Sequence, residues 1–181
     1  MAKARHRLGR RAWGLGVLAL AGMIACKPNA AESAPDGTLL TPYLAIGEVL
    51  ASDRVEGVDK LGAQVVEAGQ ARAGQPGVDE VLAAAGRVGS PDIATVRLAY
   101  RKMSEGVIAW LAANPDAREG LELIHCPMTF ANQGGYWVQQ AGKINNPYEG
   151  TMMLRCGAKL AWDDYRRGAP PAGEAKLEGM D

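Results

Sequence analysis

The chain has 181 residues, 48% of them hydrophobic, with 20 basic side chains, 20 acidic side chains and three cysteines. That length suits one domain with a single core, and a formal net charge of zero leaves no basic footprint for nucleic acid. The balance is uneven, because Lys3, Arg5, Arg7, Arg10 and Arg11 all precede the first apolar run; the residues after Ala25 carry 15 basic and 20 acidic groups. A polybasic grip on nucleic acid or on anionic lipid headgroups does not fit that distribution.

The stretch from Ala12 to Ala25 is free of charge and rich in Leu, Val, Ala and Gly. A basic start followed by an apolar run of roughly 7–15 residues has the form of a secretory signal, whereas a spanning helix needs about 20. The run ends Met23-Ile24-Ala25-Cys26, a small residue directly before a cysteine. This resembles the lipobox of bacterial lipoproteins, with Met23 standing where Leu is usual. The resemblance implies removal of residues 1–25 and a lipid anchor on Cys26. Because Lys27 follows rather than an acidic residue, it also implies sorting to the outer membrane, with the domain on the periplasmic face. Ordinary cleavage or an uncleaved anchor are the alternatives. Residues 26–38, made of Pro, Ala, Ser and Gly with little apolar content, read as a flexible tether. Residues 168–181 are equally poor in core formers and read as a disordered tail. The folded domain is expected over 39–167.

Thr41-Pro42 has the form of a cap followed by proline in a first helical turn, with Tyr43, Ile46 and Leu50 behind it at helical spacing. Asp53 and Glu56 form an aspartate version of a capping box. After it Val55, Val58, Leu61, Val65 and Ala68 make an apolar stripe. Gly74-Gln75-Pro76-Gly77 breaks the chain, and Val78, Val81, Leu82 and Ala85 suggest a short helix. Ser90-Pro91 repeats the cap-then-proline signal. Behind it Ile93, Val96, Tyr100, Met103, Val107 and Leu111 keep helical period until Asn114-Pro115. Three good helices and a short one predict a mainly α protein, an antiparallel helical bundle.

Composition changes after Gly120. Six of the nine aromatics outside the signal segment lie here, namely Phe130, Tyr136, Trp137, Tyr148, Trp162 and Tyr165. Leu121–Ile124 and Tyr136–Val138 are candidate short strands, and Gly134-Gly135, Asn146-Pro147 and Gly150 mark tight turns. A small irregular or β segment is therefore expected to follow the bundle. It holds the remaining two cysteines and His125, the one histidine after the signal.

Two stretches carry chemistry: His125-Cys126-Pro127-Met128, and Met152-Met153-Leu154-Arg155-Cys156-Gly157. Thiolate and thioether are soft donors suited to Cu(I), and two thiolates with a histidine could also hold zinc. On a strand Cys126 and Met128 share a side, as do Met152, Leu154 and Cys156; in a turn Met153 approaches Cys156 instead. The competing reading is a disulfide, which an oxidising periplasm favours. It would stabilise by about 3–4 kcal/mol for a loop of this size.

Cys126-Pro127-Met128, Asn132, Gly134, Trp137 and Gln139, followed by Ile144, Asn146-Pro147-Tyr148, Gly150, Met153-Leu154 and Cys156-Gly157, resemble a bacterial domain family of unknown function. That family occurs in periplasmic proteins and on adaptor subunits of heavy-metal efflux pumps of the copper/silver type. The resemblance implies Cys126, Met128, Met153 and Cys156 as the site, with His125 adjacent to it and an efflux adaptor as partner. It raises copper handling above the disulfide. An enzyme is not expected: there is no P-loop, no GxSxG elbow and no Rossmann fingerprint. Adjacent His125 and Cys126 on an extended chain would also point apart.

Overall fold

The longest apolar stripe of the sequence forms the longest helix. The computed structural model describes residues 39–165; the signal segment, Cys26, the tether and the tail at 168–181 lie outside the described residues. Four helices come first: α1 (Leu40–Ala51), α2 (Val58–Gln70), α3 (Val78–Ala85) and α4 (Ile93–Ala113). Val96, Tyr100, Met103, Val107 and Leu111 are buried along α4, as their period requires. Each helix packs on the next, and α1 and α4 both contact the sheet that follows. Among the described residues no helix is long and apolar enough to cross a membrane.

The helix starts differ from the sequence expectation in three places. α1 begins at Leu40 after Leu39, without a side-chain cap, so Thr41 lies inside the helix and Pro42 stays within the first turn, where its missing N–H costs nothing. α4 is capped by Asp92 rather than Ser90: the Asp92 carboxylate accepts from the N–H groups of Ala94 and Thr95, and Ser90 Oγ accepts from Asp92 N–H. A carboxylate at the positive end of a helix satisfies donors and dipole together. Asp53 caps nothing. Gly57, at φ 80°, starts α2, and the Asp53 carboxylate is used elsewhere.

Leu61 is also displaced from its expected role. The buried line of α2 is Val58, Gly62, Val65 and Gly69, with Leu61 partly buried on its flank. The reason is close approach. A Cβ at Gly62 would lie 2.4 Å from Val88 Cγ2 and 2.8 Å from the Ala85 carbonyl oxygen. The glycine edge of α2 meets α3, and the leucine edge is left half outside.

After a 3₁₀ turn at Pro115–Arg118 come β1 (Leu121–Cys126), β2 (Gly135–Gln140) and β3 (Ala158–Leu160). They form one antiparallel sheet in the order β2-β1-β3. β1 and β2 extend the two strands expected from the sequence. β3 carries no signal in the sequence, for its three residues show no alternation and only Leu160 is even half-buried. The registers pair Ile124 with Trp137, His125 with Tyr136 and Ala158, and Cys126 with Gly135.

Tyr43 joins bundle to sheet. Its hydroxyl is 2.8 Å from Ser104 Oγ on α4 and accepts the Val138 N–H of β2 at 3.1 Å. Burial pushes the Tyr43 phenol pKa up, so the group serves as a neutral hydrogen-bond node.

Candidate functional site

Cys126 ends β1 and is fully buried. Cys156 stands two residues before β3, half-buried, and β3 pairs with β1 beside Cys126. The two side chains, 30 residues apart in sequence, are free thiols that lie near enough for Cys126 to influence the ionisation of Cys156. Burial pushes the Cys156 thiol up to about 11 from an ordinary 9.0; the hydrogen bond with Cys126, the charge Cys126 would carry and the Glu149 carboxylate act in the same direction. At neutral pH Cys156 is therefore a protonated thiol and a weak nucleophile.

The other candidate donors are less well placed. Neighbouring residues of a strand point to opposite faces, so His125 is on the side of β1 away from Cys126. It is buried at 5% exposure, its ring centroid 4.4 Å from that of Tyr136. Among the described residues, no three His, Cys, Asp or Glu side chains gather where one metal ion could be held. Met128 is 53% exposed and Met152 84% exposed. Met153 is half-buried in the turn that delivers Cys156, its carbonyl accepting the Cys156 N–H at 2.8 Å. The structure thus brings Cys126 and Cys156 together with Met153 close by in sequence, and leaves His125 on the far face.

The loop that carries Cys156 is organised by buried amides. Asn146, fully buried, accepts the N–H groups of Tyr148 and Glu149 at Oδ1 and donates from Nδ2 to the Cys156 carbonyl at 3.0 Å. Its own N–H donates to the Leu154 carbonyl at 2.9 Å. Gln139 Oε1 accepts from Trp137 Nε1 and from the Asn145 N–H, while its Nε2 donates to the Lys143 carbonyl. A buried amide that meets several backbone groups at once holds a turn that no secondary structure supports.

Aromatic rings close the other side. Tyr148 meets Phe130 at a tilt with ring centroids 4.9 Å apart and Trp137 edge-on at 5.6 Å, and it reaches Tyr100 of α4 at 6.0 Å. The Arg101 guanidinium lies 4.8 Å over the Phe130 ring. Phe130, Ala131 and Asn132 all have positive φ, an unusual run for residues with a Cβ, in the short turn after Cys126-Pro127-Met128.

Sequence reasoning missed Arg97 and misassigned Asp53. Arg97 is one more polar position on α4 with no local mark to set it apart, and its partners are 44 to 50 residues away. Asp53 carries a local signal, a cap-like spacing to Glu56, that the fold does not use. Comparison with family models, with curated proteins and with solved structures finds no match to this chain.

Proposed function

We propose that Cys126 and Cys156 form a two-thiolate site for one Cu(I) ion, on a lipid-anchored protein of the cell envelope that serves metal tolerance or passes the ion to an efflux adaptor. The observation that carries this reading is the proximity of the two thiols: the pairing of β3 with β1 brings two soft donors from distant parts of the chain to neighbouring strand ends, one of them fully buried. Zinc sites ordinarily gather four nitrogen, sulfur or oxygen donors. The donor set here is two thiols, with Met153 near in sequence, and that suits a soft monovalent ion of low coordination number. Binding releases the thiol protons, so affinity rises with pH as deprotonation becomes easier. The Trp137 and Tyr148 rings are buried and meet edge-on, and a Cβ at Gly157, the residue after Cys156, would lie 3.0 Å from the Trp137 ring, so the thiol loop packs against apolar bulk.

The same proximity supports a second reading, a disulfide-stapled module that takes no metal. Oxidation needs only that the two adjacent thiols lose two protons and two electrons to an acceptor disulfide. A competition titration with a Cu(I) chelator under anaerobic reducing conditions separates the two. The expected result is one Cu(I) bound tightly by wild type and at least tenfold weaker binding, about 1.4 kcal/mol, in Cys126→Ser and in Cys156→Ser. Met153→Leu should weaken binding less, since a neutral thioether is the poorer donor. Equal competition by wild type and the double serine variant leaves the staple in place of the metal site.

A further inference from the structure

An ionic clasp ties the helical half to the thiol loop, alongside the hydrogen bonds from Asn145 Nδ2 to the Glu48 carboxylate of α1 and the Tyr100–Tyr148 ring contact. Asp53, just past α1, accepts Arg97 Nη2 at 2.7 Å, the Thr151 N–H at 2.9 Å and the Thr151 hydroxyl. Arg97 also donates from Nε to the Pro147 carbonyl at 3.0 Å and from Nη2 to the Leu50 carbonyl at 3.1 Å. One guanidinium on α4 therefore holds the end of α1, the Asp53 carboxylate and the Pro147–Thr151 loop together.

The fit at the clasp is tight. Gly150 sits inside it at φ 57°, and a Cβ there would lie 1.8 Å from Asp53 Oδ1 and 2.6 Å from Arg97 Nη2. Asp53 itself has φ 56°, a left-handed conformation that a residue with a Cβ keeps only where its surroundings impose it. From the clasped loop the hydrogen bonds continue to the thiols. Gly150 N–H donates to the Asn146 carbonyl, and Asn146 Nδ2 donates to the carbonyl of Cys156.

We propose that Arg97 and Asp53 are positioning residues for the cysteine pair, fixing the 146–151 loop so that Asn146 presents Cys156 to Cys126. The proposal rests on the reading of that pair as the working site. Neither residue needs to touch a sulfur; they act through Pro147, Thr151 and Asn146. The planar fork of arginine makes three directed bonds here, which the single point charge of lysine cannot repeat.

The test is the equilibrium constant for closing the Cys126–Cys156 disulfide against glutathione. In that exchange the two thiols give two protons and two electrons to glutathione disulfide, which becomes two glutathione thiols. It is read on the full chain by mass spectrometry of alkylated peptides, so that Cys26 is counted separately. Arg97→Lys and Arg97→Met should each lower the constant at least tenfold, and Asp53→Asn several-fold. Leu111→Ala, a core change in the bundle that costs stability without touching the clasp, should stay within about twofold of wild type while still folded. That control separates positioning from general loosening.

Wild-type constants in both Arg97 variants overturn the proposal, as does an equal fall in Leu111→Ala. Should the Arg97 variants fail to fold, Asp53→Asn decides alone, since it keeps the side-chain shape at a 40% exposed position. Cu(I) competition on the same proteins keeps the two ideas apart. Absence of binding by wild type ends the metal reading and leaves the exchange constant to judge the clasp. Tight binding by wild type and by the Arg97 variants alike, with unchanged exchange constants, ends the clasp and leaves the metal reading standing.

Discussion

In α1–α4 the decisive side chains recur one or two helical turns apart and meet apolar neighbours, so Val96, Tyr100, Met103, Val107 and Leu111 each repeat the same task. From Leu121 onward almost nothing repeats. The thiol loop is held by Asn146, Gln139, Arg97 and Asp53, each making several directed bonds to groups distant in sequence or unpaired by any strand or helix. The contrast teaches where each half is fragile. Apolar burial is spread over many contacts of modest strength, whereas a buried amide that loses its partners strands donors and acceptors in a medium that cannot replace them.

The largest effect is expected where burial is complete. Leu111→Ala should cost roughly 2–5 kcal/mol, read from urea denaturation midpoints at constant slope. Leu61→Ala, on the half-buried flank of α2, should cost less than half as much as Leu111→Ala does. Equal losses at the two positions would mean that α2 turns its leucine edge, not its glycine edge, to the core.

Next comes the polar loop. Asn146→Ala removes bonds to two N–H groups and to the Cys156 carbonyl in a fully buried place, so about 2–4 kcal/mol is expected. The loss should be local. Near-ultraviolet circular dichroism from Tyr148 and Trp137 should change while far-ultraviolet helix signal persists, and loss of the helix signal as well would show that the bundle does not stand apart from the loop.

The smallest effect distinguishes the halves by pH. The Thr151 hydroxyl and N–H, followed by Arg97, hold the Asp53 carboxyl down at about 2 against an ordinary 3.8. A depressed carboxylate stabilises the fold above its unfolded value, and that contribution disappears as pH falls from near 4 towards 2. The side chain is 40% exposed, so solvent screens much of the interaction and the change is small. Thermal midpoints of wild type should fall faster across that window than those of Asp53→Asn; parallel curves would place the acid sensitivity in other carboxylates.

The sequence alone determined the helices, their order and most of their buried faces, because periodic apolar residues and Gly-Pro breaks are local signals that each helix carries within itself. It also singled out Cys126, Met128, Met153, Cys156 and His125 as candidate ligands, and marked the amide-and-glycine turns between them. Which of these meet was decided by the tertiary structure. β3 brings Cys156 to Cys126, strand alternation turns His125 to the other face, and Met128 stands towards solvent. The Arg97–Asp53 clasp and the glycine edge of α2 were equally beyond local reading. Spacing along the chain reports only what one element can do with its own neighbours, and an ion pair across 44 residues or a close helix approach exists only once two elements have been placed side by side.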